Sequence, residues 1–215
     1  MSVTTTEGDI ETQPTRLRLS RWRVPLAVLA GLVVGLAACS LFALAVLASG
    51  TLGIATIAGA VAAGFVAGAV FSALLAVARD QPVEWVDCLG LGLVTVVVGT
   101  VALLVPSTIE SLARGDPEPL LPFRVGFVLA STLMAAACTA IASWIFGVQG
   151  WRVRAVLVGV VTGLTYLLAT MVLDTIPGFH VGGGNMAMPK VTAISNLVAG
   201  FVGGTLAHLL LSSRH

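Results

Sequence analysis

The sequence predicts an all-α integral membrane protein with six transmembrane helices. Of its 215 residues, 57% are hydrophobic and only 10% are charged, whereas a soluble domain carries about 25% charged residues. So few charges cannot cover a water-exposed surface, which excludes a soluble enzyme and a nucleic-acid-binding protein. The second observation is a series of uncharged runs, each near the roughly 20 helical residues that cross a bilayer core.

Six such runs follow one another along the chain. Between Arg23 and Arg79 there is no Asp, Glu, Lys or Arg, and this gap holds two spans with a tight turn at residues 49–51. The predicted spans are Val24–Ala48, Thr51–Ala78, Cys88–Val105, Val125–Gly147, Ala155–Leu173 and Val191–Leu211. Strands of a membrane barrel would alternate in polarity, and none of these runs does so for long.

Proline positions agree with the predicted span ends. A proline in the middle of a span would leave one backbone carbonyl without its N–H donor, and lipid cannot supply another donor. We therefore expect no proline there. The prolines at or just outside span ends are Pro25, Pro82, Pro106, Pro122, Pro177 and Pro189.

The chain divides into a polar leader and a transmembrane domain. Residues 1–22 are polar and predict a disordered cytoplasmic leader, followed by a six-helix domain at residues 23–213. The first apolar run exceeds the ~7–15 residues of a signal-peptide core, so we expect it to remain in the mature protein.

Lysine and arginine are unevenly divided between the two sides of the predicted bundle. With the N-terminus inside, eight of the 11 basic residues are cytoplasmic: Arg16, Arg18, Arg21, Arg23, Arg79, Arg152, Arg154 and Arg214. The other three, outside, are Arg114, Arg124 and Lys190. This bias predicts a multi-pass protein of the inner or plasma membrane with both termini in the cytoplasm. All four tryptophans fall near the same, cytoplasmic side.

Short matches between the two halves indicate an internal repeat. Residues 37–40 (Ala-Ala-Cys-Ser) resemble residues 136–139 (Ala-Ala-Cys-Thr), and residues 28–30 recur at 128–130. Because each half, 23–106 and 122–213, holds three spans, the second would be inverted, as in many secondary transporters. The alternative is chance similarity in a chain rich in Ala, Val, Leu and Gly.

Glycines four residues apart occur in four spans and predict close helix packing. The pairs are Gly31/Gly35, Gly64/Gly68, Gly159/Gly163 and Gly200/Gly204. Their partner helices could belong to the same chain, to a second copy in a homo-oligomer, or to another membrane protein. The sequence leaves these choices open.

Polar side chains are concentrated in the last two spans. Thr162, Tyr166 and Thr170 are spaced by four and share one helix face, and Asn196 is the only amide within a span. They form either a path for a solute or a set of interhelical hydrogen bonds. No carboxylate lies inside a span, which argues against a proton pump or a cation antiporter.

The segment from Thr175 to Pro189 is an uncharged, glycine-rich outer loop. One hypothesis is a Cu(I) site made by His180, Met186 and Met188, because imidazole and thioether ligands suit that ion. The alternatives are a re-entrant loop that lines a pore and a loop on the bilayer surface. The three cysteines are interpreted as small apolar residues.

These features favour a channel-like or carrier-like protein for a small solute or ion, with its path between the last two spans. The alternative is a non-catalytic subunit or scaffold of a larger membrane complex. An intramembrane enzyme is disfavoured because no Gly-x-Ser-x-Gly or His-Glu-x-x-His motif is present. We expect no cofactor, contact with the lipid bilayer, and no nucleic-acid partner.

Overall fold

The computed structural model describes residues 13–48, 54–112, 120–177 and 187–213, and the regular structure in these ranges is α-helical. The helices are α1 (Gln13–Ala48), α2 (Ile54–Ala78), α3 (Trp85–Leu112), α4 (Leu120–Ile145), α5 (Trp151–Asp174) and α6 (Ala187–Ser212). All six contain a stretch long and apolar enough to cross a membrane. This confirms the all-helical class and the number of helices that are long and apolar enough to span a membrane.

Two helices extend well beyond the apolar runs that predicted them. α1 begins at Gln13, so it passes through much of the segment expected to be a disordered leader, of which residues 1–12 lie outside the described ranges. α3 continues to Leu112, seven residues past Val105 (112 − 105 = 7). Hydropathy marks only the part of a helix that lies in hydrocarbon, whereas backbone hydrogen bonding continues into the headgroup layer.

Pro25 and Pro106 lie at or outside the ends of the apolar spans, as predicted, but the expectation that no proline lies mid-helix is wrong because the helices continue past them. Pro25 lies inside α1, and Pro106 lies inside α3. Pro25 cannot donate a hydrogen bond to the carbonyl of Arg21. This carbonyl is at the edge of the apolar span, close to Arg23. Water can therefore supply the hydrogen bond that Pro25 does not.

The six helices form a closed ring in chain order. Each helix packs against its neighbours in sequence, and α6 returns to pack against α1. Two three-helix halves would form such a ring, but the glycines are used differently in the two halves. Gly68 of α2 faces Leu91 of α3, whereas Gly159 and Gly163 of α5 face Thr132 of α4. The inverted repeat therefore stays a prediction.

A glycine seam, made of Gly31, Gly35, Gly200 and Gly204, joins α1 to α6. A Cβ added to Gly200 would lie 2.9 Å from the Cα of Gly35, and one added to Gly35 would lie 2.6 Å from the carbonyl oxygen of Leu197. Only glycine permits this approach of two backbones. The glycines of all four predicted pairs are buried, and those whose contacts are given above pack against helices of the same chain.

Two helices end at residues whose backbone is in the left-handed conformation. α2 and α4 close with residues of positive φ, Asp80 at 54° and Gly147 at 60°. After each, a backbone N–H bonds five residues back, Gln81 to Ala76 at 3.0 Å and Val148 to Ser143 at 2.7 Å, which completes Schellman motifs.

Two arginines from neighbouring helices bind the C-terminus of α6. Nη1 of Arg79 donates to the carbonyl of Leu211, and Nη1 of Arg154 donates to that of Leu210, both at 2.8 Å. The four tryptophans are exposed at this same end of the bundle, which we call the tryptophan end. The opposite end, where α5 finishes, is called the Asp174 end.

Candidate functional site

A partly open cavity of about 110 Å³ lies between the helices, and all six contribute to its wall. Most of the wall is alanine, glycine and larger apolar side chains. Its polar members are Thr95, Ser131, Cys138, Thr139, Thr162 and Asn196, and no charged side chain lines it among the described residues. An apolar cavity of about 150 Å³ can hold a molecule as large as benzene, which sets the size of a possible occupant.

One side of the cavity wall is a hydrogen-bonded link between α4 and α6. The hydroxyl of Ser131 donates to Oδ1 of Asn196 at 3.4 Å, and Nδ2 of Asn196 donates to the carbonyl of Thr192 at 2.9 Å. Both side chains are buried. The amide is thus held in one orientation at the edge of the cavity.

Further hydroxyls continue from Asn196 toward the Asp174 end. Oγ1 of Thr170 lies 2.8 Å from the carbonyl of Tyr166 and 3.2 Å from Oγ of Ser195, which joins α5 to α6. The buried Tyr166 hydroxyl interacts with the hydroxyls of Thr170 and Thr192. We call the six residues Ser131, Tyr166, Thr170, Thr192, Ser195 and Asn196 the polar cluster.

The polar cluster is bordered at the Asp174 end by an ion pair. Arg124, at the start of α4, pairs with Asp174, at the end of α5. Arg124 is also close enough to Tyr166 to act on its hydroxyl electrostatically. The two side chains are 32% and 20% exposed, so the pair is only partly open to solvent.

The structure brings the four predicted path residues together. Tyr166, Thr170 and Asn196 belong to the polar cluster, and Thr162 lies at the cavity wall, where its hydroxyl donates to the carbonyl of Val158 at 2.7 Å. Sequence reasoning missed the contribution of α4, namely Ser131 and the ring of Phe127, which stacks on Tyr166 at 6.2 Å. The sequence signal available for Ser131 was a serine within an otherwise apolar run.

A buried histidine lies toward the tryptophan end. His208 of α6 is 0% exposed, and its ring meets the ring of Phe71 edge to face at a centroid distance of 5.9 Å. Phe71 itself lines the cavity. The backbone of Leu74 and the charge of Arg23 act on the imidazole, but neither ring nitrogen forms a hydrogen bond of good geometry with the described residues.

The proposed Cu(I) site cannot be placed. His180 and Met186 lie outside the described residues, as does the side chain of Met188. Within the described ranges, no group of three or more His, Cys, Asp or Glu side chains could hold a metal ion. The three cysteines are free thiols, and that of Cys138 reaches the cavity.

Compared with known proteins, the chain matches no family model, no curated protein and no solved structure. What the site can do follows from its own chemistry. Hydroxyl, amide and thiol groups in an apolar wall can hydrogen-bond to an uncharged molecule. They provide no opposite charge to offset the cost of removing water from an ion.

Proposed function

We propose that this protein carries small uncharged solutes across the membrane as a channel-like or carrier-like protein. The observation that supports it is the cavity, walled by all six helices and joined on one side to the polar cluster. An ion as the solute is disfavoured because no charged side chain among the described residues lines that cavity.

The solute route in this proposal runs from the Asp174 end through the polar cluster to the cavity. In the structure Thr170 and Ser195 lie 3.2 Å apart, which leaves no room for a solute between them. Passage therefore requires α5 and α6 to separate, which favours a gated or carrier-like protein over an open pore. An inverted repeat would place the cavity at the interface between its halves, where secondary transporters bind substrate.

The test is a permeability assay on purified protein in liposomes, with urea, glycerol and larger polyols as a graded series of solutes. Ala199, which is 1% exposed, lines the cavity, so Ala199→Leu should fill it and reduce permeability to the level of empty liposomes. Ala62→Leu, on the exposed face of α2, is the matched control and should not change it. Permeability that Ala199→Leu leaves intact would place the route elsewhere.

Asn196→Leu tests the polar cluster itself. This change removes the amide that Ser131 contacts, and we expect lower permeability for hydrogen-bonding solutes. Wild-type protein that is folded but passes none of the graded solutes would rule out the proposed function.

The alternative is a subunit or scaffold of a larger membrane complex, which the glycine pairs and the absence of charge within the predicted spans would also suit. The glycines of these pairs whose contacts are described pack between helices of one chain, so they do not add support to that alternative. That the protein is not an enzyme remains a prediction.

The proposal includes location in the cell membrane with both termini in the cytoplasm. Gln149, at the tryptophan end, and Ile176, at the Asp174 end, are both exposed. In a protein without native cysteines, Gln149→Cys should react with an impermeant maleimide only after the cells are opened. Ile176→Cys should react on intact cells, and the reverse pattern would invert the orientation.

A further inference from the structure

The buried polar side chains around the cavity are not all paired with one another. Toward the Asp174 end, the polar cluster joins hydroxyl and amide groups to one another. Toward the tryptophan end, the hydroxyls of Ser72 and Thr205 and both ring nitrogens of His208 form no hydrogen bond of good geometry with the described residues, although the backbone of Leu74 lies close enough to act on the imidazole. They come from two helices in contact, α2 and α6.

His208 is the least expected of the three. Its neighbours Ala207 and Leu211 belong to an apolar cluster that also holds Phe71 and Leu75. A leucine or phenylalanine would suit these surroundings, whereas a buried polar group without a partner is destabilising. Such groups are rare in native proteins, where a bound water or ligand commonly supplies the missing partner.

The position of Phe71 connects this histidine to the cavity. The Phe71 side chain lines the cavity and contacts the imidazole edge to face. Phe71 therefore lies between the cavity and His208. Ser72 lies in the same turn of α2, between Phe71 and Leu74, the two residues that act on the imidazole.

We infer that His208, with Ser72, forms a second binding site for a small uncharged hydrogen-bonding molecule, separated from the cavity by Phe71. A neutral imidazole has one N–H donor and one acceptor nitrogen, so it can bind water or a solute with a hydroxyl or amide group. This inference rests on the proposed function in one respect, that the solute passes from the cavity to His208.

The site is tested without transport by cysteine modification. In a protein whose native cysteines are replaced by alanine, His208→Cys should react with a small methanethiosulfonate reagent, because the thiolate forms only where water reaches it. Leu211→Cys is the matched control, since Leu211 is also 0% exposed on α6 and lies one turn on in the apolar cluster. We expect modification of the first and protection of the second.

Ser72→Cys gives the same test with a smaller change if His208→Cys does not fold. Its control is Ser143→Cys, because Ser143 is 0% exposed but bonded to the carbonyl of Thr139 at 2.6 Å. Protection of both His208→Cys and Ser72→Cys in folded protein would overturn the site.

The connection to the solute route is tested in liposomes. Phe71→Ala should raise permeability and His208→Phe should lower it. Leu75→Ala, in the same apolar cluster but away from the cavity wall, should leave it unchanged. If His208→Cys reacts but His208→Phe leaves permeability unchanged, the connection between the site and the solute route is overturned. If the wild-type protein shows no permeability, that result counts against the proposed function. The cysteine modification then decides the binding site by itself.

Discussion

Gly35 of α1 and Gly200 of α6 meet backbone to backbone. A Cβ on Gly200 would lie 2.9 Å from the Cα of Gly35 and 3.2 Å from its nitrogen. Gly35→Ala would place a methyl group 2.6 Å from the carbonyl oxygen of Leu197, so one helix must move. We expect the free energy of unfolding to fall by about 1–3 kcal/mol, as for other overpacked contacts.

Thermal unfolding in detergent measures this effect, and Gly90→Ala is its control. Gly90 lies in α3, and a Cβ there would meet nothing within 4 Å. Alanine is a better helix former than glycine, so this variant should be unchanged or more stable by roughly 0.5–1 kcal/mol. Equal losses in both variants would show that the glycine seam has no special packing role.

The bond between Thr170 and Ser195 should contribute modestly to stability. Thr170→Val removes an interhelical contact of 3.2 Å, and such bonds in membranes average about 0.6 kcal/mol. Thr100→Val is the control, because the Thr100 hydroxyl donates to the carbonyl of Val96 in its own helix at 2.8 Å. Chemical unfolding of the two variants should differ by that amount, and no difference would mean that the polar cluster contributes nothing to packing.

Arg154 should stabilise the C-terminus of α6. Its guanidinium donates to the carbonyl of Leu210, where the negative end of the helix dipole favours a positive charge. Arg154→Gln should lower the free energy of unfolding by roughly 0.3–1 kcal/mol. Arg152→Gln, on an exposed residue of the same helix turn that stacks on Trp151, provides the comparison and should cost less. An equal loss in the two would argue against a specific role for Arg154.

A double-mutant cycle measures the ion pair at the Asp174 end. Arg124→Gln and Asp174→Asn each break the pair, so the double variant should lose less stability than the sum of the two single losses. The coupling should be on the order of 1 kcal/mol or less, because both groups are partly exposed. It should shrink as salt concentration rises. Additive losses would show that the pair has no energetic effect.

The membrane class and the number of helices could be predicted because lipid imposes a simple rule. Backbone groups in hydrocarbon must bond within their own helix, so long uncharged runs have one structural interpretation. That rule weakens at the headgroups, so hydropathy did not indicate that α1 begins as early as Gln13 and continues through Pro25.

The candidate site was predictable only in part. The spacing of Thr162, Tyr166 and Thr170 placed them on one face, because the helical period fixes it. Ser131 could not be assigned to the same site, since nothing in its local sequence shows that α4 lies beside α6. The burial of His208 could not be predicted either, because it depends on which helix covers the imidazole. Phe71, which contacts the imidazole, is 137 positions away in the chain (208 − 71 = 137).

The glycine seam also constrains how the chain is made. Gly35 and Gly200 are 165 positions apart (200 − 35 = 165), so during synthesis α1 enters the bilayer long before its packing partner exists. Until α6 is made, the close-packing surface of α1 must lie against lipid or against a temporary partner, and such transient exposure favours misassembly. Slowed translation before α6, or loss of that helix, should therefore leave an unclosed bundle that is open to degradation.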